Sequence, residues 1–290
     1  MKANFYALAA IALWASLAAL GLSLKQLPPF LLTGIALMIG STLAWPSVWK
    51  NPAQWKIPPR TLGLGVFTLF GFHFLLFIAL RLAPAVEVNL VNYLWPLFIV
   101  VLAPLYLPGV ALRRVHGLAA LMGFVGAALA ILGGREATVP STTGSPWGSA
   151  GLGYLLALGS ALIWANYSLQ TKRAELMGNG FPTAAIGLFG LVSGLLSLLC
   201  HWVLEPSVHL GGQEWLRLAL MGLGPLGAAF FLWDKALKLG DMRHVGILSY
   251  LTPLGSTLLL MLLTSRALSW SIALGACLII GAALLGTRRN

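Results

Sequence analysis

A chain of 290 residues that is 59% hydrophobic and only 9% charged cannot be water-soluble as a whole, because a soluble domain carries roughly 25% charged residues. A mean hydropathy of +0.88 points the same way, towards lipid as the solvent. The net charge of +11 does not mark a nucleic-acid binder, because Lys and Arg punctuate the apolar runs instead of gathering on a soluble module.

Lipid requires every backbone polar group to be satisfied internally, which leaves helices or a closed barrel. Ten apolar runs follow one another at residues 3–24, 29–49, 61–82, 85–107, 113–134, 150–171, 182–204, 214–238, 242–264 and 267–287. They have the length a spanning helix needs, about 20 residues, and lack the alternation of barrel strands. The first run has no clear cleavage site and is read as a first span, not a removed signal peptide.

In chain order, the first span carries Trp14, too deep for an interfacial belt. Residues 50–60 form a basic connection flanked by Trp49 and Trp55, which read as interfacial anchors. The third span carries His73, either a hydrogen-bonding core residue or a group titrating near neutral pH. The fourth holds the most unusual stretch, E-V-N-L-V-N-Y-L-W-P at residues 87–96. Glu87 near its outer end is either a solvated interfacial charge or a functional carboxylate. Asn89 and Asn92, three apart, are expected on one face turned to the bundle interior, bonding neighbouring helices or a polar substrate. Tyr93 and Trp95 join them, and Pro96 is expected to kink the span.

The most polar stretch follows at residues 135–149 and reads as a surface linker. The sixth span brings Trp164, Asn166 and Tyr167, and the eighth brings Trp233 and Asp234. Asp234-Lys235 is read as a local ion pair, plain inside charge or a proton relay. The ninth, R-H-V-G-I-L-S-Y-L-T-P at residues 243–253, carries Tyr250 and a second kink at Pro253. The two stretches are expected to face each other across a membrane-embedded cavity. Glycines in the fifth and tenth spans (Gly117, Gly123, Gly126, Gly275, Gly281, Gly286) predict a close-packed scaffold and a candidate dimer face; monomer and homodimer both stay open. Cys200 and Cys277 are read as small buried filler.

The halves repeat. Residues 79–96 align without gaps on 236–253, sharing Ala79/Ala236, Leu80/Leu237, Leu82/Leu239, Val88/Val245, Tyr93/Tyr250, Leu94/Leu251 and Pro96/Pro253. Trp14-Ala15 matches Trp164-Ala165 in the same order. Five spans is an odd number, so the second half enters the membrane inverted. With the N-terminus cytoplasmic, thirteen Lys and Arg fall inside and five outside, which sets both termini inside. The expected fold is an all-α membrane protein of ten transmembrane helices in two inverted five-helix repeats, 1–134 and 150–290, joined by a periplasmic linker at 135–149. Inverted repeats with broken helices near the midplane are transporter architecture. An aromatic lining with a few polar groups suits a flat amphipathic ligand.

The ten-span pattern, with the motifs at 87–96, 163–167, Trp233 and 249–253, resembles the drug/metabolite transporter superfamily in its EamA-like branch. Within it the chain is similar to the YddG-type aromatic amino acid exporters. The resemblance implies a secondary transporter exporting amino acids across a bacterial inner membrane. It also implies a central cavity built from spans one, three, four, six, eight and nine. Asp234-Lys235 beside Trp233 departs from the pattern. The alternatives are a broad drug or metabolite exporter of the same fold, and a membrane enzyme or scaffold. No catalytic motif, ATP-binding loop, cofactor site or metal-ligand spacing is present in the sequence.

Overall fold

The computed structural model describes residues 2–133, 149–264 and 269–286. The linker expected at 135–149 lies almost wholly outside them. All regular structure among the described residues is helical: α1 Lys2–Ala15, α2 Leu17–Ser23, α3 Pro29–Ser41, α4 Trp45–Lys50, α5 Pro59–Leu82, α6 Ala85–Asn92, α7 Trp95–Tyr106, α8 Arg114–Gly133, α9 Ser149–Leu176, α10 Ala185–Leu204, α11 Gly212–Leu223, α12 Ala229–Leu239, α13 Met242–Leu248, α14 Leu251–Thr264 and α15 Trp270–Gly286. Short 3-10 turns at Thr42–Ala44 and Pro52–Trp55, and a π-helical turn at Gly224–Ala228, join some of them.

Several pairs are single spans interrupted by a break. Counted that way, nine described segments are long and apolar enough to cross a membrane, and Trp270–Gly286 is a shorter apolar helix of 17 residues. The protein is an all-α, multi-span membrane protein.

The breaks have local causes. Between α1 and α2 the Ser16 hydroxyl donates to the Leu13 carbonyl at 2.6 Å, competing with the helix ladder. The expectation of interior kinks at Pro96 and Pro253 is corrected: the helix ends before each proline. Asn92 closes α6, and Pro96 sits in the first turn of α7, where a missing N–H costs nothing. Leu248 closes α13, and Pro253 is the third residue of α14. One proline does lie inside a helix, Pro104 in α7.

The chain divides into two compact units, Met1–Phe74 with Thr171–Leu239, and Leu75–Gln170 with Gly240–Asn290. Each draws on both sequence halves. In the first unit α3 packs on α10 through Gly34 and Gly194; a Cβ on Gly194 would lie 2.9 Å from the Gly34 carbonyl. Glu205, just past α10, accepts from the Phe30 and Leu31 N–H groups at 3.1 and 3.2 Å. It thereby caps α3, whose own N-cap is Pro28 and offers no side-chain acceptor.

In the second unit α8 and α15 pack backbone to backbone. A Cβ on Gly126 would meet the Gly275 carbonyl at 2.8 Å, and one on Gly275 the Gly126 carbonyl at 2.6 Å, so only glycine permits the approach. That is the scaffold expected of the fifth and tenth spans. The cysteines are not the buried filler expected: Cys200 is half-buried and Cys277 exposed, because the helix faces that carry them are not packed on protein.

Candidate functional site

In the first unit the aromatic group forms around a carbonyl released from the helix ladder. In an α-helix the Ala229 N–H would bond the Pro225 carbonyl; in the π-turn it reaches the Gly224 carbonyl instead. The Trp14 indole N–H donates to the Pro225 carbonyl at 3.1 Å. That bond fixes the ring against Trp233 at 5.2 Å and Phe230 at 6.1 Å, centroid to centroid. His73 meets Phe230 edge-on at 6.5 Å, and its Nδ1 donates to the Leu69 carbonyl at 2.6 Å. Trp14, His73 and Trp233, all expected in the site, are buried together.

One turn on, Asp234 is 1% exposed, and its Oδ2 accepts from Thr183 Oγ1 and Lys238 Nζ, each at 2.7 Å. Lys238 Nζ also donates to the Phe181 carbonyl at 2.6 Å, and the Lys238 carbonyl accepts from Lys172 at 2.9 Å. The expected Asp234-Lys235 pair is thus corrected to Asp234–Lys238, since i,i+4 side chains share a helix face and i,i+1 do not. Lys235 lies over the Tyr6 ring at 5.4 Å.

In the second unit the break after α6 places Asn92 and Trp95 on either side of a two-residue turn. Ser160, Trp164 and Tyr167 of α9, spaced four and three apart, present one face towards them. Ser160 Oγ donates to Asn92 Oδ1 at 2.9 Å; both residues are buried. Trp95 meets Trp164 edge-to-face at 6.3 Å, and Trp164 lies 6.0 Å from Tyr167. The Tyr106 hydroxyl donates to Asn166 Oδ1 at 2.9 Å. The group is therefore an apolar ring cluster held by two neutral amide–hydroxyl pairs, a surface suited to stacking a flat molecule.

Three expected residues stand apart from this cluster. Asn89 is exposed, whereas Asn92 is buried and accepts from Ser160. Tyr250 is wholly buried in the scaffold with Ala127, Leu254 and Ile279, its ring occupying the space a side chain at Gly123 would need. Tyr93 is half-buried in the turn. The two polar stretches do not lie across a cavity from each other where Gly246 meets α7: a Cβ there would sit 3.3 Å from the Pro96 carbonyl.

Glu87 falls in the first turn of α6, half-buried, where the helix dipole favours a carboxylate. The residues the sequence did not single out are the partners: Ser160, Tyr106, Thr183, Lys238 and Pro225. Among the described residues no group of three or more His, Cys, Asp or Glu is placed to hold a metal.

A family model described as the EamA-like transporter family matches residues 1–132 and again residues 151–288. The chain is 39% identical over 301 residues to an aromatic amino acid exporter YddG from Ancylobacter novellus, covering 99% of this chain and 97% of that one. It is 29% identical over 311 residues to the aromatic amino acid exporter YddG of Escherichia coli, covering 100% and 99%. A solved crystal structure at 37% identity superposes with a TM-score of 0.88 over 99% of this chain and 98% of that one.

Proposed function

Because the chain belongs to the EamA-like transporter family, and is a transporter and not an enzyme, we propose that it exports amino acids, aromatic and other apolar ones, across the bacterial inner membrane by alternating access. The observation that carries this reading is the uncharged ring cluster of Trp95, Trp164 and Tyr167 beside the buried Asn92–Ser160 pair. Rings stack the substrate side chain. With the carbonyl oxygens of Asn92 and Asn166 engaged by hydroxyls, their amide N–H groups are the ones free to donate to a carboxylate. Trp14, His73 and Trp233 are assigned to substrate contact as well. Tyr93 lines the turn, the exposed Asn89 is a further amide for the substrate's polar group, and Tyr250 acts through the frame. The relatives that carry the name aromatic amino acid exporter support the substrate class.

The finer architecture belongs to the same proposal. The two halves, 1–134 and 150–290, are inverted copies, with both termini cytoplasmic and the connection between them periplasmic. Three observations support this: the family model matches each half once, the bias of Lys and Arg favours that orientation, and breaks recur one residue out of register 157 positions apart. The breaks before Pro96 and Pro253 serve as hinges. Asp234 carries its charge as a fastening for the eighth span, and Glu87 sits at the mouth of the fourth.

Competition in sealed proteoliposomes tests the substrate class. Unlabelled phenylalanine and tryptophan should suppress labelled tryptophan flux, while nucleotide sugars and lipophilic cations should not. Suppression by the latter alone would assign the protein to a broad drug or metabolite exporter.

A further inference from the structure

The connection between α3 and α5 carries features that amino acid transport does not use. Trp45, Val48, Trp49 and Trp55 line a cleft of about 210 Å³, the volume of about seven waters. Trp45 and Trp49 stand 6.3 Å apart and are 41% and 78% exposed. The cleft is held open by its own hydrogen bonds. Asn51 Oδ1 accepts from the Ala53 N–H at 3.2 Å, and Gln54 pairs with Ser47 through its side chain at 3.0 Å and the Ser47 carbonyl at 3.4 Å. The Trp55 indole is pinned to the Ala184 carbonyl at 2.9 Å.

Lys50, Lys56 and Arg60 alternate with these rings, all three exposed, and none has an acidic partner among the described residues. No Asp or Glu occurs before Glu87 in the whole chain. Trp45, Val48, Trp49 and Lys50 close the spanning segment Pro29–Lys50, and the next begins at Pro59, so the rings and cations lie where the chain leaves the bilayer, at the level of the lipid headgroups.

We propose that this connection is a binding site for an anionic phospholipid. Its phosphate is held by Lys50, Lys56 and Arg60, and its glycerol and first acyl carbons sit in the tryptophan cleft. Charge complementarity selects this occupant: three unpaired cations beside an apolar slot match a headgroup phosphate joined to acyl chains. A zwitterionic lipid brings a phosphate whose charge its own ammonium group cancels and places that second cation beside the three already there, and a free anion leaves the slot empty.

The test is native mass spectrometry of the full chain released from nanodiscs of equimolar phosphatidylglycerol and phosphatidylethanolamine. Each cation near an anionic surface contributes about fivefold, so the wild type should retain phosphatidylglycerol over phosphatidylethanolamine by about tenfold or more. The preference should fall within about twofold in Lys50→Gln/Lys56→Gln/Arg60→Gln, and should persist in Lys2→Gln/Arg114→Gln/Arg173→Gln, which removes equal charge elsewhere. Trp49→Ala should lower the amount retained. High salt applied to the wild type should erase the preference without any variant. Equal retention of both lipids by the wild type, a triple variant that keeps the wild-type preference, or release of the lipid by inorganic phosphate alone would each overturn the proposal.

Discussion

Replacing Lys238 by Met isolates the buried charge pair of the eighth span. The Asp234 side chain is 1% exposed and that of Lys238 is 11% exposed, so water screens the pair poorly. Removing one partner of such a pair leaves an uncompensated buried charge and costs about 3–5 kcal/mol. Thr183 still donates to Asp234 in the variant, which places the loss near the lower end, about 3 kcal/mol. At about 2–4 °C per kcal/mol for chains of about 150–250 residues, and less for one of 290, thermal unfolding in neutral detergent should shift down by about 6 °C. The double variant Asp234→Leu/Lys238→Met removes both charges and should recover most of that loss. Should the single variant unfold within about 1 kcal/mol of wild type, the pair is not the dry contact described and the reasoning fails.

Three further outcomes follow from the geometry. Ser160→Ala strands the Asn92 carbonyl oxygen, which should cost about 1–3 kcal/mol and raise the KM for tryptophan in proteoliposome flux. Gly123→Val forces the Tyr250 ring out of its seat in the scaffold, an overpacking loss of about 1–3 kcal/mol readable by thermal unfolding, with little change in KM for the protein that remains folded. At Asp241, the N-cap of α13, burial raises the carboxyl. Hydrogen bonds from the Arg243 side chain and backbone N–H outweigh it and hold the group below the ordinary carboxylate range. A folded pKa depressed in this way stabilises above the unfolded value and is lost as pH falls through the folded one. The stability gap between wild type and Asp241→Asn should therefore be full near neutrality and close only below about pH 4, as followed by unfolding midpoints across that range.

The apolar spans, the neighbourhood of the breaks and the glycine scaffold were legible because each leaves a local mark (apolar length, a proline, a missing Cβ), but that the helices end before Pro96 and Pro253 instead of kinking at them was not. The ion pair was legible in principle, since Lys238 is the i+4 neighbour of Asp234 and Lys235 is not. Other features had no local signature. The π-turn that frees the Pro225 carbonyl for Trp14 is decided by the close packing of Gly222 and Gly227 on α3, where a Cβ on Gly222 would lie 2.7 Å from the Ala36 carbonyl. Depth within an apolar run set Trp95 and Trp164 apart from interfacial belts, and the repeat made Tyr250 the counterpart of Tyr93, but neither said which face a ring takes. Trp95 and Trp164 meet in the ring cluster, whereas Tyr250 fills the scaffold. Asn89 and Asn92 looked equivalent until burial and Ser160 separated them.

The central claim, that the rings beside Asn92 bind the exported amino acid, is tested most directly by counterflow of labelled tryptophan into preloaded liposomes by wild type and Trp95→Ala/Trp164→Ala. The wild type should accumulate label well above empty liposomes, and the double variant, matched for folded protein, should lose nearly all of that signal. No uptake by the wild type, or undiminished uptake by the double variant, would contradict the account.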